Sequence, residues 1–208
     1  MSLSDLPIAD FEARAAAFLP QMKEDMCVPA CLTNVLNDLG KRMAISLKFG
    51  LSEMNRLCDY HEGLQCNEKA IPRIIDDILY KRDYTWKVTS GPEMTIDFLR
   101  SICENKTFSL PMVGVASSYF EHRGIRTSGR YKLDHALIVM GIDHDVVYLY
   151  DPYETLFRRG GYRGQLPRDM PIPSFLTVWD SAQEPRWVAW AQPLPTKQVK
   201  LDVEPEAK

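Results

Sequence analysis

No segment of this sequence approaches the apolar length needed to span a bilayer. Its first twenty residues, MSLSDLPIADFEARAAAFLP, carry no basic stretch followed by an apolar core. Both absences predict a soluble, non-secreted chain without a membrane segment. Net charge is small as well: 25 Lys and Arg against 28 Asp and Glu leave a formal −3. That removes any general pull toward nucleic acid or an anionic membrane, so no nucleic-acid partner is expected and any basic surface must be local. Internal repeats and low-complexity blocks are missing too. Cysteine is sparse and odd in number, with Cys27, Cys31, Cys58, Cys66 and Cys103 in a chain of 208 residues, too large to be a disulfide scaffold. Reduced thiols and a cytoplasmic setting are therefore expected.

What is present is enough apolar material, 45% of the residues, to bury the core of one domain. That domain is expected over 1–193, with a flexible tail over 194–208, where Pro and charge dominate. The first half reads as mostly helical. DFEARAAAFL has apolar residues at helical spacing and stops at Pro20. Cys27 to Leu39 places Leu32, Val35, Leu36 and Leu39 on one side and meets Gly40, a common C-cap. Further helices are expected around Leu51 to Leu57, along Ile71, Ile74, Ile75, Ile78 and Leu79, and in PEMTIDFLRSIC. From Leu110 the runs LPMVGVAS, HALIVMGI, VVYLYDP and RWVAWAQP are rich in β-branched and aromatic residues and read as strands. Helices first and an antiparallel sheet second give an α+β fold with a seam between the halves.

The stretch QMKEDMCVPACLTNVLNDLG puts chemistry at that seam. Pro29 is tolerated only in the opening turn of a helix, so it locates the helix start and leaves Cys27 at the N-terminus. There the unpartnered N–H groups and the helix dipole favour negative charge, one of two devices that make a thiol nucleophilic. The second device is an imidazole. Of four histidines, His135 opens an apolar strand and is held by rigid backbone, His144 falls in the predicted hairpin turn, and His61 and His122 lie in polar connections. A histidine base needs an orienting group. Asp151 ends the partner strand, and a turn at Asp143 to Asp145, centred on residue 143, returns residue 151 close to residue 135. Gln21, in the loop entering the helix, is a suitable side-chain donor to an oxyanion, with the Cys27 backbone N–H as the second.

The order Gln21, Cys27, His135 and Asp151, with HALIVMGIDHDVVYLYDP carrying the last two, resembles the bacteriocin-processing peptidases that cut double-glycine leaders, within the papain-like cysteine peptidase fold. The likeness runs from about Pro20 to Pro193. It includes SLPMVGVAS as the strand before the histidine, SFLTVWD with Phe175 and Trp179 as a small helix after the Asp-Pro loop, and RWVAWAQP as a closing strand. It implies Cys27 as nucleophile, His135 as general base and then acid, Asp151 as orienter and Gln21 as oxyanion donor, acting on a peptide or protein. Val28 departs from the pattern, standing where the family commonly has glycine, and narrows the approach beside the thiol. The export transporter attached to many family members is also missing from this sequence, so trimming of a secreted leader is not implied.

Each residue also has a plainer explanation. A free cysteine is most often a small buried hydrophobe. Cys31, one turn deeper on the same side as Cys27, is expected in the core rather than as a second redox thiol. CDYHEGLQC offers only Cys58, His61 and Cys66 and lacks paired C-x-x-C spacing, so no metal and no cofactor is expected. Asp-Pro is a common turn start, His135 could be a satisfied strand-end histidine, and Trp179, Trp187 and Trp190 are expected in the core. SSYFEHRGIRTSGRYKLD and PYETLFRRGGYRGQLPRDMP, arginine-rich and glycine-containing, bracket the histidine hairpin. Should they line the cleft, they would favour an acidic or extended polar substrate; otherwise they are solvated loops. The expected activity is hydrolysis of an amide through a Cys27 thioester. A glutamine deamidase or an acyltransferase with the same triad, and a non-catalytic papain-like binding module, remain open.

Overall fold

The computed structural model describes residues 8–23, 25–60, 71–124, 134–153 and 168–195. The tail from 196, His61, Cys66 and the middles of both arginine-rich segments, 125–133 and 154–167, lie outside the described residues.

Helices dominate the first part: α1 (Ile8–Ala15), α2 (Cys27–Met43), α3 (Leu51–Leu57) and α4 (Ile71–Tyr80). Strand β1 (Tyr84–Thr89), helix α5 (Ile96–Glu104), strand β2 (Met112–Val115) and the short helix α6 (Ser118–His122) follow. The chain then forms β3 (His135–Asp143), β4 (Val146–Tyr150), β5 (Arg168–Pro171), helix α7 (Ile172–Asp180) and β6 (Val188–Pro193). Thr95 accepts the Phe98 N–H through its hydroxyl and so caps α5, satisfying one of the donors a helix start leaves unpaired.

The six strands make one antiparallel sheet in the order β1-β6-β2-β3-β4-β5. The molecule is α+β, with the sheet between two helical layers. On one face Ala136, Ile138 and Met140 of β3 pack with Leu32, Leu36 and Leu39 of α2. On the other, Leu137 and Val139 pack with Leu99 and Ile102 of α5 and Phe175, Val178 and Trp179 of α7. Alternate residues of β3 therefore point into two different cores, which is why its sequence is apolar without alternation.

Several expectations need correction. The split into a helical half and a sheet half is incomplete: YTWKVT, inside the supposed helical half, is β1, held at the sheet edge by its pairing with β6 from the far end of the chain. The arginine-rich segments begin and end in regular structure, the first in α6 and the second in β5, and His122 closes α6 rather than lying in a loop. Gly40 does not cap α2, which runs on to Met43 and ends at Ala44 in the left-handed region with φ 52°. Gly40 is needed instead for close approach, because a Cβ there would lie 2.3 Å from the Leu47 carbonyl oxygen.

The β3–β4 hairpin turns at His144 and Asp145, close to the expected place, but its register differs. Asp143 pairs with Val146, the ladder slips between Val139 and Gly141, and beyond the slip Ile138 faces Tyr150. The bulge adds a residue that sequence alone does not reveal. With Asp143 opposite Val146 the turn is centred between residues 144 and 145 rather than on 143, so residue 151 is not directly opposite residue 135. Gly141 sits at the irregularity, where a Cβ would come within 2.5 Å of the Phe11 ring of α1.

Candidate active site

The site begins at the mouth of α2. Cys27 is the first helical residue and Pro29 the third, so the missing proline N–H is one that no helix would have used. No acidic side chain lies in the first turn and Met26 provides no side-chain cap, so the backbone N–H groups there meet no carboxylate of their own helix. One turn on, the Cys31 thiol donates to the Ala136 carbonyl at 3.4 Å. This contact lays α2 along the start of β3, whose first residue is His135.

His135 is fully enclosed. Its Nε2–H donates to Asp151 Oδ1 at 2.7 Å, with neither side chain exposed to solvent. Cys27 lies close enough to the ring to act on its charge, and with Nε2 engaged by Asp151, Nδ1 is the nitrogen left to address the sulfur. Burial opposes a charged imidazole, but the Asp151 charge, the Asp151 hydrogen bond and then Cys27 outweigh it and push His135 up to about 10 from an ordinary 6.5. The ring therefore holds a proton at neutral pH. Asp151 is itself fixed by its turn: the same Oδ1 accepts the Tyr153 N–H at 2.8 Å. A carboxylate that closes its own turn and reaches back to the imidazole does not depend on direct cross-strand register.

Gln21 is buried, and its backbone N–H donates to the Pro152 carbonyl at 3.0 Å, tying the loop before α2 to the residue after Asp151. Its side-chain amide donates to the Lys23 carbonyl at 2.7 Å, within the loop that leads to Cys27. The backbone of Gln21 is thus tied to the residue after Asp151, while Cys27 and Asp151 act on His135 from two other parts of the chain.

Three aromatic residues complete the enclosure. Phe120, Tyr153 and Tyr119 have ring centroids 4.8, 5.9 and 6.0 Å from that of His135. Sequence reasoning passed over all three, because YF in SSYFEH and the Tyr of DPY are ordinary core residues by composition. The signal available was their place, just past β2 and just past the Asp-Pro turn.

No family model matches the chain, and no curated protein matches it. Solved structures do. The peptidase domain of Streptococcus ComA, a bifunctional ABC transporter involved in quorum sensing, matches with a TM-score of 0.52 and 15% identity, over 84% of this chain and 96% of that one. A C39-like peptidase from Bacillus anthracis matches at 0.54 and 13%, over 86% and 94%. A double-glycine-motif protease from an AMS/PCAT transporter, in complex with its leader peptide, matches at 0.50 and 14%, over 85% and 90%.

The fold is that of C39 peptidase domains.

On this C39-type fold a cavity of about 460 Å³ opens beside His135. Val28, Leu32, Trp86, Met112 and Trp187 supply much of its apolar lining. Trp187, expected in the core, is a half-buried wall of this cavity, whereas Trp179 and Trp190 are buried as expected. Val28, next to Cys27 and also half-buried, puts a branched side chain into the same wall. Cys31 is fully buried, and burial pushes its thiol well up, with Cys27 and then Asp151 acting in the same direction. Cys58 is buried in the core at the end of α3, and among the described residues no group of three metal-ligating side chains comes together. No helix among the described residues is long and apolar enough to cross a membrane.

Proposed function

We propose that this protein is a papain-like cysteine peptidase that hydrolyses a peptide or protein amide through a thioester on Cys27. The observation that carries the reading is the buried His135, hydrogen-bonded to Asp151 and pushed up by Asp151 and by the nearby Cys27. Peptide as the substrate class is supported by the leader peptide bound to one of its fold neighbours.

In this mechanism the proton of Cys27 rests on His135 before the attack, and the sulfur adds to the carbonyl carbon as a thiolate. The oxyanion is held by the Gln21 amide and the Cys27 backbone N–H. The His135 imidazolium then protonates the departing amine, and the C–N bond breaks to leave the thioester. Water, deprotonated by the now neutral His135, attacks the thioester, and the thiol leaves with the acid as product. Asp151 keeps the ring in the orientation that points Nδ1 at sulfur.

The test is alkylation at neutral pH with iodoacetamide, followed by mass mapping, and then incubation with a peptide library. Cys27 is expected to react faster than Cys31 or Cys103, and peptides are expected to lose backbone connectivity. A Cys27 no more reactive than the other two would refute the nucleophile. Intact peptides that gain the small mass of an amide turned acid would move the assignment to a deamidase.

A further inference from the structure

The cavity beside His135 has largely apolar walls but also carries acidic side chains. Asp134, the residue before His135, and Glu184, in the connection between α7 and β6, both line it. Asp134 is held in place by the Gln183 N–H, 2.5 Å from its Oδ2. Glu184 accepts the Ser90 hydroxyl at 2.7 Å. Among the described residues no cation pairs with either carboxylate. The nearby Arg186 is engaged elsewhere, with Asp180 and with the Pro92 and Met94 carbonyls. Burial pushes the Asp134 carboxyl up, against the pull of the Gln183 and Glu184 N–H groups, and a cation in the cavity would relieve that cost.

Trp86 and Trp187 face this space with Val28 and Met112. Indole walls together with carboxylates suit a side chain with a long aliphatic or planar stem and a positive end. The stem lies on the rings and the cation reaches the acids, so packing, cation–π attraction and ion pairing act together. A neutral apolar side chain would use the walls but leave the acids unpaired, and an acidic one would be repelled.

We propose that this cavity is a specificity pocket for a basic side chain, arginine or lysine, close to the bond that Cys27 attacks. The inference rests on the peptidase reading, since it places the pocket beside the proposed acid–base group. It differs from the acidic or extended polar substrate that the arginine-rich segments would favour if they lined the cleft; their centres lie outside the described residues.

The test uses the full chain and a set of short peptidyl chloromethyl ketones, identical except for arginine, citrulline or glutamate at one position, with iodoacetamide as a control. Each reagent alkylates Cys27 by displacement of halide, and the quantity compared is the ratio of second-order rates. At one position of the probe, arginine is expected to outpace citrulline by at least about tenfold, the worth of roughly 1.4 kcal/mol. Glu184→Gln and Asp134→Asn are expected to shrink that ratio toward one. Equal arginine and citrulline rates at every position, with iodoacetamide still labelling Cys27, would overturn the pocket and leave the nucleophile standing. A ratio unmoved by both substitutions would overturn it as well. A Cys27 inert to all reagents would instead remove the peptidase reading, and the pocket inference with it.

Discussion

Asp151 Oδ1 lies 2.7 Å from His135 Nε2 in a contact from which water is fully excluded. Inside the protein such a pair interacts far more strongly than at the surface, and the imidazole is held protonated well above its ordinary range.

Removing the charge but keeping the shape isolates that effect. Asp151→Asn should lower the His135 pKa and shift the alkaline limb of the pH–rate profile downward. His135→Ala should lower turnover by ~10² to 10⁴-fold, the usual worth of a general acid–base group. Circular dichroism checks that both variants are folded, and an unchanged alkaline limb in Asp151→Asn would remove Asp151 from the mechanism.

The same pair makes stability depend on pH. Between the ordinary imidazole value of 6.5 and the folded value of about 10, the native chain holds a proton that the unfolded chain has lost. The unfolded state binds fewer protons in that window, so the stabilisation is complete below 6.5 and declines as pH rises toward 10. Urea midpoints measured at intervals across this window should fall for the wild type, and fall less for His135→Ala. Parallel declines in the two proteins would contradict the assignment.

Gln21 has both a structural tie, through its backbone to Pro152, and a side-chain amide near the helix mouth. Gln21→Ala removes only the amide. As a lost oxyanion donor it should cost ~10² to 10³ in kcat, with KM little changed, because the oxyanion exists only in the transition state. A rise in KM at constant kcat would mark Gln21 as a substrate-binding residue instead.

Cys31 provides the contrast to Cys27. Its thiol is fully buried and pushed up, so it should resist iodoacetamide in the native protein and react only after unfolding. Cys31→Ala leaves a gap of about one sulfur under the site and should cost about 1 kcal/mol in a denaturant titration. Cleavage activity in this variant should stay near that of wild type. Loss of turnover in a fully folded Cys31→Ala would show that the second thiol takes part in the chemistry.

Much of this arrangement was legible in the amino-acid order because it depends on local rules. Pro29 places a helix start wherever it occurs in such a pattern, so Cys27 at the mouth of α2 follows from the residues alone. The strand HALIVMGI and the Asp-Pro turn are equally local, as are α3 and α4. What escaped was non-local. YTWKVT has strand character, but only its partner β6, about a hundred residues away, makes it a strand, and its helical neighbours gave no hint of that partner. The hairpin turn centred between residues 144 and 145, and the slip between Val139 and Gly141 beyond it, are likewise not written in the local pattern.

The residues themselves determined which groups could do chemistry: a thiol at a helix start, one histidine on a rigid strand, a carboxylate in a turn and an amide in the loop before the thiol. Tertiary structure alone decided where these groups lie relative to one another. It carried Gln21 to Pro152, closed Tyr119, Phe120 and Tyr153 around His135, and set Asp134 and Glu184 in the lining of a tryptophan-walled cavity. The physical reason is burial. A pKa near 10 on an imidazole is a property of an enclosure, and an enclosure is made by side chains far apart in the chain.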